Sequence, residues 1–271
     1  MRFKATLDFK GMRVLLNVLQ CMEKLANQCV VHITPEKMEF RKKREPDSEI
    51  EVYATIKVEL FSEYTVESRS DNTISVILSV TNLLRAVKSA NQSTDTTFKL
   101  SRRNDVPGIS IVAETVSGIN IVQDVPILEM LSKEGLEDYE EPALSFSMIL
   151  GFPDPKHVRT VLDRFKGLDD HVVMLMNRTG SLTLRVDTEV VTMKTVYRDL
   201  DVLEQENSAA QNVVVKLNVK EFLSVLNFGA SKFDKIYIST GKGLPVVLFV
   251  NFEDSCGNMT YYCPTLNLDE N

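Results

Sequence analysis

The sequence predicts an α+β protein made of two copies of one domain, each with an antiparallel sheet that carries two helices on one face. The first observation is an internal repeat. A strand, a sharp stop and a helix follow one another over residues 76–87, and the same order returns over 215–226, about 139 residues later. The second observation is that two strand patterns follow each of these helices at matching spacing. A repeat this long exceeds the unit of a solenoid and fits a duplicated domain.

Alternation of polar and apolar residues identifies the strands of this sheet. Pro35 occupies the second position of a turn and pre-sets its backbone angle, which predicts a hairpin. A second hairpin is predicted around residues 177–180, at the equivalent place in the second half. The predicted strands are 2–9, 30–34, 37–43, 51–60, 96–102, 108–114, 171–176, 181–187, 235–240 and 245–252.

Four helices are predicted from apolar stripes at helical spacing, and each is expected to pack one face on the sheet. We expect Thr81 to cap the second helix, and Asp154 followed by Pro155 to begin the third. The predicted helices are 11–26, 81–92, 155–168 and 220–229.

An acidic linker is expected between the two halves. Residues 126–142 contain several carboxylates and lack strong periodicity, which indicates a connection rather than a helix or strand. The chain therefore divides into a first domain (1–125), a linker (126–142) and a second domain (143–271). Residues 199–211 read as a further polar loop.

The composition is that of a globular protein that builds real cores, with 44% hydrophobic and 25% charged residues. No stretch approaches the roughly 18 apolar residues of a membrane span, so no membrane partner is expected. The N-terminus alternates like a strand rather than a signal peptide. None of the four cysteines forms a CxxC pair, which argues against a zinc knuckle and fits buried thiols in a reducing compartment.

Charge is distributed unevenly along the chain. A net charge of −7 taken alone argues against a nucleic-acid partner. Yet all four predicted helices are net positive. For one helix, an ordinary solvated face is the commoner explanation. Net positive charge on all four helices, with almost no aromatic residues, favours contact with phosphates rather than base reading. The polar outer faces hold Arg13, Asn17, Gln20, Lys24, Arg85, Lys88, Lys156, Arg159, Lys166 and Lys220.

No catalytic, metal or cofactor motif is found. The patterns of phosphate-binding loops, serine hydrolases and zinc proteases are absent. The three histidines are scattered, and the adjacent carboxylates at 140–141 and 169–170 fit solvated loops. The basic run 41–44 suits a nuclear import signal, although a strand end with solvated charges is the better interpretation. No enzyme activity is therefore predicted.

An ordered series of segments resembles the Hus subunit of the DNA-damage checkpoint clamp, a branch of the eukaryotic sliding clamps. The resemblance covers nearly the whole chain. It implies two tandem sliding-clamp domains, with antiparallel sheets outside and four helices lining one face. The segments that carry it are 22–29, 33–40, 78–91, 124–127, 171–200 and 259–266.

The resemblance implies a non-catalytic scaffold in a nuclear, heterotrimeric ring. Its partners would be Rad-nine-type and Rad-one-type subunits. A clamp loader would place the ring around double-stranded DNA at damage or stalled forks, where it would recruit checkpoint kinase activators and repair enzymes. The ten outer-face residues named above would line the DNA channel.

In sliding clamps, an edge strand of the first domain pairs with an edge strand of the next subunit's second domain. Here those would be roughly 118–125 and 189–197. A partner-peptide groove would lie near Ile127, Leu128 and Pro264. The expected interface residues are Gly118, Asn120, Val122, Asp124, Glu189, Val191, Met193, Thr195 and Tyr197.

Two other readings stay open. A homotrimeric replication clamp requires the two edges of one chain to complement each other, and the pure chain would then run as a trimer. An enzyme with an unrecognised site requires a deep pocket with convergent ionisable groups, and basic helices that do not share one face.

Overall fold

The computed structural model describes residues 1–43, 45, 49–115, 117–203, 211–227 and 233–266. The helices are α1 (Phe9–Glu23), α2 (Val80–Ser89), α3 (Lys133–Glu137), α4 (Pro155–Phe165) and α5 (Val219–Val225). The strands of the first half are β1 (Arg2–Asp8), β2 (Gln28–Ile33), β3 (Lys37–Lys42), β4 (Glu51–Lys57), β5 (Glu63–Glu67), β6 (Ile74–Ser79), β7 (Ser93–Arg103), β8 (Val106–Thr115) and β9 (Asn120–Met130). Those of the second half are β10 (Met148–Gly151), β11 (His171–Asn177), β12 (Ser181–Asp187), β13 (Thr192–Tyr197), β14 (Val202–Leu203), β15 (Asn212–Asn218), β16 (Phe233–Thr240), β17 (Val246–Phe252) and β18 (Gly257–Cys263).

The internal repeat is confirmed by the order of these elements. In the described residues, each half runs strand, helix, five strands, helix and three strands. All the pairings are antiparallel. A 14-stranded sheet has the order β14-β10-β16-β17-β18-β4-β3-β2-β6-β9-β8-β7-β1-β5, and a four-stranded sheet has the order β13-β12-β11-β15. The two halves meet in the long sheet where β18 pairs with β4.

The helices begin at side-chain caps. Asp8 accepts a hydrogen bond from the Gly11 amide, so α1 begins two residues before the predicted start. The expected cap at Thr81 is wrong, because the hydroxyl of Ser79 accepts from the Asn82 amide and starts α2 earlier. Asp154 caps α4 as expected, ahead of Pro155. The apolar stripes of α1, α2, α4 and α5 are buried in one hydrophobic core shared with the sheets, whereas α3 has no buried residue.

The expected linker is more ordered than its sequence indicates. Residues 126–130 complete β9 and pair with β6 through Ile127 and Met130. A single short helix, α3, follows, capped by Ser132. The division of the chain at 126–142 stays a prediction, but this segment is not an irregular loop throughout. Part of the second polar loop (204–210) and the end of the fourth predicted helix (228–229) lie outside the described residues.

The basic run is a strand end, as the sequence favoured. Arg41 and Lys42 belong to β3, and the Lys42 side chain is buried, with its ammonium donating 2.6 Å to the Ile50 carbonyl. A buried lysine cannot serve an exposed import signal. Arg44 lies outside the described residues.

Three of the four cysteines are buried, and all four are free thiols. Burial raises the pKa of Cys29 to about 12, so this thiol stays protonated at neutral pH. In the part of the chain that the structure describes, no helix is long and apolar enough to cross a membrane.

Gly257 provides a test of the seam between the halves. A Cβ at this position would lie 2.0 Å from the carbonyl oxygen of Thr55 in β4. We expect Gly257→Ala to lower the free energy of unfolding by about 1–3 kcal/mol, because the β18–β4 backbones must move apart. Urea unfolding followed by circular dichroism measures the change.

The matched control is Gly135→Ala in α3, where a Cβ meets only ordinary contacts at 3.6 Å. This variant is expected to keep or slightly raise the unfolding midpoint, since alanine favours a helix. Equal midpoints for the two variants would contradict the tight seam.

Candidate nucleic-acid interface

Helices α1, α2, α4 and α5 form one continuous layer. In the first half α1 packs against α2, and in the second half α4 packs against α5. The two pairs meet at Asn227, just after α5. Its carbonyl accepts from the Cys21 thiol of α1 at 3.4 Å, and its side-chain oxygen accepts from Arg159 of α4. The helices therefore share one face of the molecule.

All the predicted cationic residues of this layer are exposed. They are Arg13, Lys24, Arg85, Lys88, Lys156, Arg159, Lys166 and Lys220. The neutral Asn17 and Gln20 between them are half-buried. The structure thus brings these side chains to a common surface, and their contact with DNA stays a prediction.

Ion pairs divide these cations into two groups. Lys220 lies 2.7 Å from Asp170, and the hydrogen bond from Lys220 lowers the pKa of that carboxyl. Arg159 lies 3.9 Å from Asp163 on the next turn of α4. Among the described residues, no carboxylate pairs with the other six. Those six retain their full charge for a phosphate.

Sequence reasoning missed what stands at the start of α1. Phe9 is the first residue of α1 and lies one turn before Arg13. The residue is 54% exposed. Lys10 pairs across the halves with Asp254, and this hydrogen bond raises the pKa of Lys10. The spacing of Phe9, Arg13 and Asn17 by four residues was the signal that could have placed Phe9 on the cationic face.

In the described part of the chain β5, β14 and β15 end their sheets, and the two strands predicted to lie at subunit interfaces also leave one edge unpaired. Residues 120–126 of β9 pair with β8 alone, since β6 pairs only with its later residues. β13 lies at the end of the four-stranded sheet and pairs with β12 alone. These are the two edges expected to join neighbouring subunits. Exposed apolar side chains mark both, at Val122 (57%) and at Val196 (38%).

The predicted interface residues do not all lie in these strands. Gly118 belongs to the turn before β9, where its φ of 78° suits a glycine. Glu189 and Val191 lie in the turn before β13, which begins at Thr192. Asn120, Val122 and Asp124 are exposed along β9. Met193, Thr195 and Tyr197 are half-buried, so the exposed side chains of β13 are instead Thr192, Lys194 and Val196.

The predicted peptide groove is not formed by the residues assigned to it. Ile127 is buried in β9, and Leu128 is 50% exposed. Pro264 follows β18, and four strands, each about 4.8 Å from the next, lie between β18 and β9. The prediction of one groove from these three residues is therefore wrong. The linker does meet the C-terminal strand, but at Glu141 and Pro142 rather than at Ile127 and Leu128.

A cleft of about 560 Å³ lies elsewhere, where residues 138–142 cross the long sheet. Its walls include Lys43, Tyr53 and Tyr262. The two tyrosine rings meet edge to face, 5.7 Å between centroids. Burial, reinforced by the carboxylates of Glu51 and Glu141, raises the pKa of both hydroxyls, so they act as hydrogen-bond donors.

The crossing segment is anchored to this sheet by several contacts. Tyr53 donates 3.1 Å to the Glu140 carbonyl, and Arg41 donates 3.4 Å to the Tyr139 carbonyl. The Lys43 ammonium lies 4.7 Å from the centre of the Tyr139 ring. The acidic linker thus closes over the cationic end of β3.

Comparison with known proteins identifies the family. The Hus1-like protein family matches residues 1–267. The chain belongs to the Hus1-like family. The checkpoint protein hus1 homolog of Dictyostelium discoideum is 27% identical, covering 98% of this chain and 99% of that protein. Checkpoint protein hus1 of Schizosaccharomyces pombe is 26% identical over 98% and 99%, and checkpoint protein HUS1 of Homo sapiens is 25% identical over 74% of each.

Solved structures show the same fold. The PCNA of Thermococcus kodakaraensis superposes with a TM-score of 0.76 at 17% identity, over 97% of this chain and 100% of that one. The Proliferating Cellular Nuclear Antigen of Entamoeba histolytica has a TM-score of 0.76 at 12% identity, over 98% and 99%. The predicted resemblance to the Hus subunit, the tandem sliding-clamp fold and the assignment as a checkpoint clamp subunit are confirmed.

Substitution of Arg41 tests how this Hus1-like chain holds its linker. It bridges the Glu39 carboxylate at 2.8 Å and the Tyr139 carbonyl, so Arg41→Ala should release residues 138–142. We expect cleavage after Glu140 by a glutamate-specific protease to speed up about fivefold, equivalent to ~1 kcal/mol of local opening. Mass spectrometry of timed digests measures the rates.

The control is Arg102→Ala, whose guanidinium pairs only within a surface turn with Asp105. It is expected to leave linker cleavage unchanged. A linker that is cut equally fast in wild type and in Arg41→Ala would show that this anchor does not hold it.

Proposed function

We propose that this chain is a non-catalytic subunit of a heterotrimeric nuclear ring that encircles double-stranded DNA at damage or stalled forks. The Rad-nine-type and Rad-one-type subunits complete the ring, and a clamp loader places it on DNA. The observation that carries this proposal is the continuous helix layer with six cations that have no carboxylate partner among the described residues, in a Hus1-like chain whose net charge is −7.

Electrostatics support a DNA-facing layer. Lysine and arginine that neutralise phosphates release counterions, so their binding energy does not depend on sequence. The layer is rich in these residues and in short polar groups, which suits contact with the backbone of a duplex. Negative charge on the remaining surface would repel DNA and leave the helix layer as the favourable contact.

Ring closure is supported by the two unpaired edges. An exposed strand edge offers unsatisfied N–H and C=O groups, and proteins usually cover such edges or pair them with another chain. Here the edges lie on different sheets, along β9 and β13. One subunit can therefore take a different neighbour on each side.

The scaffold role is supported by the outer cleft at Lys43, Tyr53 and Tyr262. Its volume of about 560 Å³ lies within the range of ligand pockets, and its aromatic walls suit the apolar side chains of an extended peptide. We place the docking of checkpoint kinase activators and repair enzymes there, instead of at Ile127, Leu128 and Pro264.

Co-expression with the Rad-nine-type and Rad-one-type subunits tests the assembly. Native mass spectrometry is expected to give one copy of each chain in the complex, and a monomer for this chain alone. A stable trimer of this chain alone would instead support the homotrimeric replication clamp.

An aspartate placed on the unpaired edge of either β9 or β13 should abolish binding of one partner subunit. Val122→Asp in β9 and Val196→Asp in β13 leave the fold intact because both side chains are exposed. We expect each variant to lose a different subunit in co-purification. The control is Val214→Asp, an equally exposed valine on β15, which should retain both. If both edge variants keep both partners, the edge assignment is wrong.

Charge reversal on the helix layer tests DNA contact. In the assembled ring, Arg13→Glu with Arg85→Glu is expected to weaken duplex binding tenfold or more at low salt, with a salt slope smaller by about two. Lys220→Glu should weaken binding less, because Asp170 already neutralises Lys220. Fluorescence anisotropy of a labelled duplex across salt concentrations measures both.

The matched control is Lys99→Glu, on the face of β7 opposite the buried Phe98. It changes the net charge by −2, as Lys220→Glu does and half as much as the double variant, without touching the helix layer, so duplex affinity is expected to stay unchanged. If Lys99→Glu weakens binding as much as the helix variants, net charge rather than the layer determines affinity.

A further inference from the structure

A small pocket opens on the helix layer where the two halves meet. Its volume is about 160 Å³, and it lies between the start of α1 and the end of β17. Residues from both halves line it, so neither domain has it alone. The described lining residues are Phe9, Lys10, Arg13, Val14, Asn17, Phe252 and Glu253.

Phe9 makes this pocket unusual. Among the described residues it is the only exposed phenylalanine or tyrosine, all the others being buried or half-buried. Leaving a ring of this size in water forfeits its burial energy, of the order of 1.5–3 kcal/mol. A solvated aromatic ring above an apolar hollow is the arrangement that nucleic-acid proteins use to stack an unpaired base.

The volume limits the ligand to one ring. A cavity of about 150 Å³ lined by apolar side chains accommodates a single benzene molecule. The 160 Å³ here therefore suits a six-membered ring.

The polar groups at the rim match the edge of a base. The guanidinium of Arg13 and the amide of Asn17 can donate to a carbonyl oxygen, and the carboxylate of Glu253 can accept from a ring N–H or an exocyclic amine. Lys10 is paired with Asp254, so Arg13 and Glu253 together leave the rim of the pocket without net charge. The phosphates of the same strand would instead lie along the neighbouring cations of α1 and α2.

The wall from the second half is held in place. Lys10 pairs with Asp254 across the junction, beside Glu253. Asp254 and Ser255 both have left-handed backbone angles, with φ of 60° and 52°. A non-glycine pair in this region persists only where the surroundings fix it, and such strain concentrates at functional sites. The wall from the second half is thus tied to the start of α1 by the Lys10–Asp254 pair.

We propose that this pocket binds one unstacked pyrimidine base of a single DNA strand, stacked on Phe9 and bonded at its edge by Arg13, Asn17 and Glu253. The proposal rests on the proposed function in one respect, that the helix layer faces DNA. It adds contact with a base to a surface otherwise suited to phosphates.

The test compares two oligonucleotides of equal length and charge, one of thymidine and one of abasic sites. Full-length chain at low salt is expected to bind the thymidine strand more tightly by anisotropy. Phe9→Ala should weaken thymidine binding about fivefold, the lower end of the range for base stacking, and leave abasic binding unchanged. Val106→Ala, an exposed apolar residue in the β7–β8 hairpin, is the control and should change neither.

A strand with one 5-iodouracil then locates the base, because irradiation should cross-link it to a peptide that contains Phe9. Equal affinity for the thymidine and abasic strands, or equal weakening of both by Phe9→Ala, would overturn the proposal. Failure of the pocket is distinguishable from failure of the clamp. If the ring assembles and binds duplex normally but shows no preference for the thymidine strand, only the proposal of a base-binding pocket is contradicted.

Discussion

The antiparallel pairing of β18 with β4 is the contact on which the layout of the chain depends. Six residues of each strand face one another, from Gly257 opposite Ile56 to Tyr262 opposite Glu51. The final strand of the second half thereby becomes the neighbour of a strand from the first, and backbone groups at the seam are paired within the chain. The helices resting on the two halves are held side by side, which makes one cationic surface from four separate faces.

That surface derives its character from how charges are paired. Six of its cations have no carboxylate partner in the described part of the chain, whereas Lys220 and Arg159 lie near Asp170 and Asp163. Exposed pairs contribute little to stability, so these carboxylates chiefly adjust the local potential. The layer thus holds stronger and weaker positions for a phosphate, and the unpaired cations lie on α1, on α2 and at the two ends of α4.

The same seam also organises the opposite side of the molecule. The rings of Tyr53 in β4 and Tyr262 in β18 meet edge to face across it. Both hydroxyls donate hydrogen bonds to the segment that joins the two halves. The linker is therefore tied to the strands that unite the domains. A partner that binds in this cleft would contact the linker, both halves and the seam together, which suits a docking surface on a scaffold.

The sequence alone determined the repeat, the hairpins, the four helices and their positive outer faces. Each of these follows from periodicity over a few residues, which covalent geometry fixes. Tertiary structure alone decided that Ser79 rather than Thr81 caps α2, and that Pro264 lies four strands from Ile127. It also decided that Asp170 neutralises Lys220, and that Phe9 stands exposed beside a pocket from both halves. Apart from the local Ser79 cap, these features join residues far apart in the chain, and their distances exist only once the strands have paired into sheets.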